Sequence, residues 1–283
     1  MYSAQELVSQ VDSLASIPAV YHRIREQVDA PDSSMFEIAR LISADPGLTV
    51  RLLRVVNSAL FGYRGTVDSV QRAVQILGLQ QVHDIVLGVS LKGVFDSLRP
   101  SEVDVDRYWR QSMMCALCAR QIARESTHAA PERMFIIGLL ANIGHLVMYQ
   151  TAPALAAEAA DAAEKGEALH LAERRIIGCD FAEVGATLMD HWGVPRGFAG
   201  AIGAQTLPRL GGDYANEAAI IHLAGAIARA DETGAASAEV LAGIDVTLWP
   251  LIGIETEAVP KVREDAELNL AACMVLFFPL LKR

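Results

Sequence analysis

The sequence predicts an all-α protein, on three observations. Alanine and leucine are abundant while aromatic residues make up only 6% of the 283 residues, a composition that favours helices. Apolar residues recur at spacings of three and four, and the runs begin at capping signatures. No run alternates apolar and polar residues with a period of two, and no hairpin turn joins such runs. A hydrophobic content of 52% excludes a disordered chain, and the length is enough for a substantial core.

The elements follow in order. Ser3 and Glu6 form a capping box ahead of a helix with Leu7, Val11 and Leu14 on one face. Pro18 starts a second helix carrying Val20, Ile24 and Val28, and Ala30-Pro31 ends it. Ser34 and Glu37 make another capping box, opening a helix with Ile38, Leu41 and Ile42 inward. Asp45 and Pro46 combine an N-cap with a first-turn proline, and the helix behind them carries Leu48, Leu52, Val55, Val56 and Ala59 as far as Phe61-Gly62. Asp68 caps a helix with Val70, Val74 and Leu77 inward, which Gly78 stops. Residues 80–97 then give a longer helix with Val82, Ile85, Val86 and Val89. The polar break from Pro100 to Asp106 divides an N-terminal helical subdomain, 1–99, from a second helical subdomain, 100–283.

The second subdomain starts with a long helix from about Val105 to Ala123. Residues 131–149 read as one central helix. Pro131 suits the first helical position and Glu132 the positive end of the dipole. From Met134 to Met148 the only polar side chains are Asn142 and His145, so the segment belongs in a core. Gly138, Ala141 and Gly144 make a seam of small residues, over which a backbone can approach or a pocket can open. Pro153 to Lys165 is the next helix, stopped by Gly166. Asp180 and Glu183 cap a helix that ends near Trp192-Gly193, and Pro195 starts another with Phe198 and Ile202 inward. Leu207 to Tyr214 is a loop, Asn216 caps a helix with Ile220, Leu223, Ala224 and Ile227, and helical segments remain around Ser237–Ala242 and Glu264–Phe278.

Composition narrows the function. A net charge of −10 does not attract nucleic acid to the molecule as a whole, and the nearest basic group is Arg51, Arg54 and Arg64. Cys115 and Cys118 form a C-x-x-C among apolar neighbours, while Cys179 and Cys273 stand alone. A structural zinc site needs a second ligand pair at short spacing, so core thiols are expected. The N-terminus has no basic stretch followed by an apolar run, and the longest apolar run, Leu270 to Leu281, contains Pro279 and is too short to span a bilayer. A soluble cytoplasmic protein without membrane contact is expected, with the apolar end Leu276 to Leu281 docked on its own body. No Gly-x-Ser-x-Gly is present, and Gly211-Gly212 lacks the lysine of a phosphate loop.

The run Gly138-Leu139-Leu140-Ala141-Asn142-Ile143-Gly144-His145-Leu146 is similar to the central helix of HD-domain phosphohydrolases, and still more to that of the HDOD family, the HD-related output domain of bacterial signalling proteins. The first section resembles HDOD proteins too, through Ser16-Ile17-Pro18-Ala19-Val20, Leu41 to Leu48, Leu52 to Gly62 and Val74 to Leu79, in the family's order. The resemblance extends over about 14–211 and implies a multi-helix HDOD/HD-domain-like bundle with an N-terminal helical subdomain. In active HD enzymes a His-Asp pair binds metal where this chain has Ala141-Asn142. Gln111, Phe181, the segment Ile202 to Gln205 and Gly225 stand where further ligands would be expected by the same resemblance. These side chains give a divalent ion little to hold, so no catalytic residue, metal or cofactor is expected. His83-Asp84 is a literal pair in the wrong section, expected to be capped or solvated. His145, His191 and His222, with Asp190, offer the means of a rebuilt site, but hydrogen-bonded core histidines are the simpler expectation.

Function follows from the resemblance. It implies a non-catalytic signal-transduction regulator that acts through protein–protein interaction, with partners among two-component or cyclic-dinucleotide signalling proteins and not nucleic acid. One alternative is a sensor of a nucleotide or cyclic dinucleotide, using a vestigial pocket lined by Gln111, Asn142, His145 and His222. Few basic residues are expected there, which disfavours a polyphosphate. A residual metal-dependent phosphohydrolase is the other alternative.

Overall fold

Asp45 shows how local chemistry sets this fold: its Oδ1 accepts from the Leu48 backbone N–H at 2.9 Å while Pro46 occupies the first turn, so the helix starts there. The computed structural model describes residues 1–11, 19–30, 34–58, 60, 65–91, 100–101, 103–126 and 128–278, and among them there is no strand. The all-α class expected from the sequence is what the chain forms. It divides into two compact units, one of residues 1–15 with 97–270 and one of residues 16–96 with 271–283. One crossing lies close to the polar break at Pro100. The first helix and the C-terminal segment, however, fall outside a simple division at residue 99, because each groups with residues distant in sequence.

The first helix, α1 (Ala4–Val11), carries its capping box: the Ser3 N–H donates to Glu6 Oε2 at 2.7 Å and the Glu6 N–H to Ser3 Oγ at 3.3 Å. The smaller unit contains α2 (Ala19–Asp29), α3 (Met35–Ser43), α4 (Pro46–Val56) and α5 (Val70–Ser90), with α5 packed against the other three. Gly78 breaks α5 at φ 79° and ψ 165°, a conformation open essentially to glycine alone, so the expected stop is real. Two expected caps are not made. Ser34 makes no side-chain cap, and the Glu37 carboxylate of the expected box pairs instead with Arg40 at 2.7 Å. The cap of α5 is Ser69, whose Oγ accepts from the Arg72 N–H at 3.3 Å, and not Asp68. The His83-Asp84 pair is not solvated: each residue is 1% exposed, with His83 Nδ1 3.2 Å from Asp84 Oδ1 and Gln80 Nε2 donating to that same oxygen at 3.1 Å. Leu14, Ser16-Ile17-Pro18, Ala59, Phe61-Gly62, Arg64, the end of the 80–97 helix and Pro279 to Leu281 lie outside the described residues.

The larger unit is built from α1, α6 (Val105–Glu125), α7 (Pro131–Leu140), α8 (Ile143–Thr151), α9 (Pro153–Glu164), α10 (Leu169–Ile176), α11 (Phe181–His191), α12 (Arg196–Ala204) and α13 (Ala215–Thr233). After these come α14 (Ser237–Gly243), α15 (Trp249–Ile252) and α16 (Val259–Phe277), the last crossed by the division at residue 270. α6 packs on α7 and α13, and α11 packs on α1, α8 and α12.

The expected single helix over 131–149 is two helices. It breaks at Ala141-Asn142, with Asn142 at φ −100° and ψ 7°. The Ala141 carbonyl freed by the break accepts from Gln205 Nε2 at 2.8 Å, so that oxygen is not left stranded. The small-residue seam does serve close approach. A Cβ on Gly138 would lie 2.8 Å from Ala116 Cα of α6, and one on Gly144 would overlap the Phe181 carbonyl and lie 2.9 Å from the Gly185 nitrogen of α11. Among the described residues, Pro131–Thr151 is the stretch long and apolar enough to cross a membrane, and 72% of its apolar window is buried inside the protein. α13 starts at Ala215 and not behind Asn216, because the preceding loop is already wound into 3-10 turns at Pro208–Leu210 and Gly212–Tyr214. All four cysteines are buried and outside any disulfide, and burial pushes the Cys115 and Cys179 thiols up to about 12.

Candidate functional site

Residues spaced three or four apart on a helix share a face, and four such faces meet around one cavity. α6 contributes Arg107 and Gln111; the α7–α8 break and α8 contribute Asn142, His145 and Tyr149; α10 contributes His170 and Glu173; α13 contributes His222, Gly225, Arg229 and Glu232. Phe181 from the start of α11 and Gln205 from the end of α12 complete the polar wall. The cavity holds about 690 Å³, within the range of small-molecule sites.

The structure thus brings together all four residues expected at a vestigial pocket: Gln111, Asn142, His145 and His222. Phe181, Gln205 and Gly225, singled out through the family resemblance, line the same space, and Ala141 sits beneath it at 1% exposure. His191 and Asp190 are not on the lining, and His83-Asp84 belongs to the other unit.

Two of the histidines here, His145 and His222, are oriented through Nδ1. His145 Nδ1 lies 3.0 Å from Glu173 Oε1, and Glu173 is 3% exposed. The other Glu173 oxygen accepts from the Phe181 backbone N–H at 3.0 Å, and the Phe181 ring stacks on the His145 ring at 4.2 Å and 16°. One buried carboxylate therefore fixes both members of an aromatic pair. His222 Nδ1 lies 2.8 Å from the Gln205 carbonyl. A carbonyl only accepts, so this nitrogen carries the proton and Nε2 is left as an acceptor on a neutral ring. Burial lowers the His222 pKa from its ordinary value, and the charges of Arg229 and His170 push it the same way.

The charged groups are mostly committed. Arg107 pairs with Glu232, and Asp104 caps α6 by accepting from the Arg107 N–H at 3.1 Å. Arg229 differs. Among the described residues no carboxylate lies within ion-pair distance of its guanidinium. Its Nη1 would lie 3.3 Å from a Cβ on Gly225. The side chain keeps solvent exposure on the cavity wall, while desolvation by the surrounding protein lowers its pKa from the ordinary arginine value; a guanidinium stays charged in a protein.

Arg107, His170, Glu173, Arg229 and Glu232 were not foreseen. His170 and Glu173 sit on α10, a helix with no side-chain cap and hence no start signal in the sequence. Arg229 was within reach, since it lies one turn beyond Gly225 on the face already singled out. The expectation of few basic residues at the pocket is overturned by these two arginines and His170.

A metal, which the HD resemblance implies, does not suit these residues. An amide, a methyl, a phenyl ring and a bare Cα stand at the ligand positions, and the Glu173 carboxylate is already bound by His145 and Phe181. Among the described residues no group of three or more His, Cys, Asp or Glu side chains is arranged to hold an ion.

The HDOD domain family matches residues 14–208 of this chain. An uncharacterised protein of Treponema pallidum (strain Nichols) is 26% identical over 195 residues, 68% of this chain and 37% of that protein, so the chain spans little more than a third of this curated relative. Among solved structures, an HDOD domain protein of unknown function from Geobacter sulfurreducens superposes with a TM-score of 0.77 at 20% identity, covering 97% of each chain. A protein of Shewanella amazonensis SB2B, provisionally designated a phosphohydrolase, gives 0.72 at 24% identity, covering 96% of this chain and 98% of that one. A Marinobacter aquaeolei VT8 protein, provisionally designated a signal transduction protein, gives 0.69 at 23% identity, covering 94% of this chain and 60% of that one. At these identities the structural likeness shows the fold.

Proposed function

This chain belongs to the HDOD family, and from that premise we propose that it is a non-catalytic regulator in bacterial signal transduction, working in the cytoplasm through contacts with other signalling proteins. One observation carries the reading. The positions that hold metal in HD enzymes converge on a single cavity here, yet they bear Gln111, Ala141-Asn142, Phe181 and Gly225. The shell that once positioned a metal remains while the donors that would generate hydroxide are gone, so recognition is the use left to it. The partners that fit the family are components of two-component or cyclic-dinucleotide pathways. The test has two arms. Metal-supplemented turnover of bis-p-nitrophenyl phosphate should stay at background, whereas turnover abolished by Gln111→Ala or Asn142→Ala would overturn the reading. Crosslinking in the native host should recover signalling proteins, and recovery of none would count equally against it.

A second reading has its own support in the cavity: a size typical of ligand sites, an aromatic face already stacked and histidines already oriented. In this reading the protein senses a small molecule, and the bound state is what its partners read. Thermal-shift screening with nucleotides and cyclic dinucleotides tests it, and no shift at millimolar ligand would remove it.

A further inference from the structure

Of the two arginines on the cavity wall, Arg229 is, among the described residues, the one without a carboxylate partner. Glu232 has Arg107, Glu173 has His145, and Asp104 has the first turn of α6. An accessible guanidinium with no carboxylate beside it is free to take a carboxylate or phosphodiester that enters the cavity in a charge-assisted, two-pronged hydrogen bond. Its place is specific: Nη1 would stand 3.3 Å from a Cβ at Gly225. Gly225 is the position where the family resemblance puts the last acidic metal ligand. The wall has therefore exchanged a carboxylate for a free guanidinium at one spot, and the preferred charge of an occupant changes sign with it.

We infer that the cavity receives a small organic molecule with one negative charge, its carboxylate or phosphodiester on Arg229 and its apolar body against the His145–Phe181 face. The inference rests on the ligand-sensing reading of the cavity and deepens it. The limit to one charge follows from the neighbours: the carboxylates of Asp104, Glu173 and Glu232 also line the space and oppose any further negative charge. His222 supports the same end of the ligand from its neutral Nε2, which accepts from a ligand hydroxyl or amine next to the charged group. Leu146, Ala156 and Ala160 add apolar lining for a flat or aliphatic body.

Calorimetric titration of the full chain tests this with four probes: adenosine (neutral), 3′,5′-cyclic AMP and indole-3-acetate (one charge each, phosphodiester and carboxylate), and ATP. At least one single-charge probe should bind at millimolar concentration or below, with adenosine and ATP each weaker by roughly tenfold or more. Arg229→Gln should weaken the single-charge probe roughly 10- to 100-fold. Gly225→Asp is the second variant, because it keeps Arg229 and supplies it with an internal carboxylate four residues ahead on the same helix. It should also abolish binding of the single-charge probe while holding or raising the melting temperature. Equal binding of that probe by the wild type and both variants, or adenosine binding as tightly as cyclic AMP, would leave the cavity as a ligand site and overturn the anion assignment. No binding of any of the four by the wild type would remove both.

Discussion

Among the described residues, two histidine–carboxylate pairs, one fully buried in the smaller unit and one half-buried in the larger, differ in a way the sequence conceals. His83 and Asp84 are neighbours in the chain, spell out the literal His-Asp signature, and are both 1% exposed. Beneath them is packed core, with the Tyr21 ring centroid 5.2 Å from that of His83. His145 and Glu173 come from α8 and α10, spell out nothing, and stand on the wall of a cavity. The first pair ties the His83 Nδ1 to a carboxylate inside a core, although His83 Nε2 there has no hydrogen-bond partner among the described residues. The second fixes an imidazole at the edge of a space where another molecule fits. Adjacency in sequence makes a motif, but only helix packing makes a site.

Mutations separate the two regions. The largest effect is expected for Gly144→Ala, because the new methyl group meets the Phe181 backbone and drives α8 from α11. Overpacking of this kind should cost about 3 kcal/mol and lower the melting temperature by roughly 6–12 °C. The counterpart in the smaller unit, Gly78→Ala, meets nothing within 4 Å and should cost only the backbone strain of its glycine-only conformation, about 1–3 kcal/mol. Equal losses in thermal denaturation would contradict the account of the close α8–α11 approach. Next come the pairs themselves. Glu173→Ala strands the Phe181 N–H and takes the partner from His145, and Asp84→Ala strands the buried His83 Nδ1 while the exposed Gln80 amide turns to water, each at a cost of about 2–3 kcal/mol. They part in binding: Glu173→Ala should weaken any cavity ligand and Asp84→Ala should not, and a calorimetric titration in which both behave alike would erase the distinction drawn here. A smaller effect, about 1 kcal/mol, is expected for Asp45→Ala, against almost none for Ser34→Ala, whose hydroxyl caps nothing.

The smallest expected effect is on pH dependence. The His222 pKa is lower folded than unfolded, so the unfolded chain binds the proton more readily. Its contribution to stability is fully present above the unfolded value, about 6.5, and is lost as pH falls below it toward the folded value. His222→Gln keeps an amide donor for the Gln205 carbonyl and removes the titration. The melting-temperature gap between wild type and variant should therefore narrow between about pH 7.5 and pH 5.5, and parallel curves would show that His222 does not titrate in this way.

Much of the fold was legible because capping is local. The Ser3–Glu6 box, Asp45-Pro46, Asp180 and the stop at Gly78 all lie where the residues foretold them. The failures are tertiary in origin. The helix break at Ala141-Asn142 depends on Gln205 reaching the freed carbonyl from another helix, and no periodicity within 131–149 signals it. α10 starts without a cap, so His170 and Glu173 were lost together, and with them the fact that the pocket wall is charged. Gln111, Asn142, His145 and His222 were found because they occupy positions that a family resemblance marks, and the helices bring all four to one space. Arg229 was missed because it replaces nothing at its own position. Its meaning comes from reaching back over Gly225.

The central claim is that the ancestral metal cavity has become a recognition cavity. Transition-metal analysis by mass spectrometry on the untagged protein, purified from its native host without chelators, tests this most directly. The account predicts metal far below one ion per chain. One or two tightly held ions per chain, retained through dialysis and lost on Asn142→Ala or His145→Ala, would contradict it.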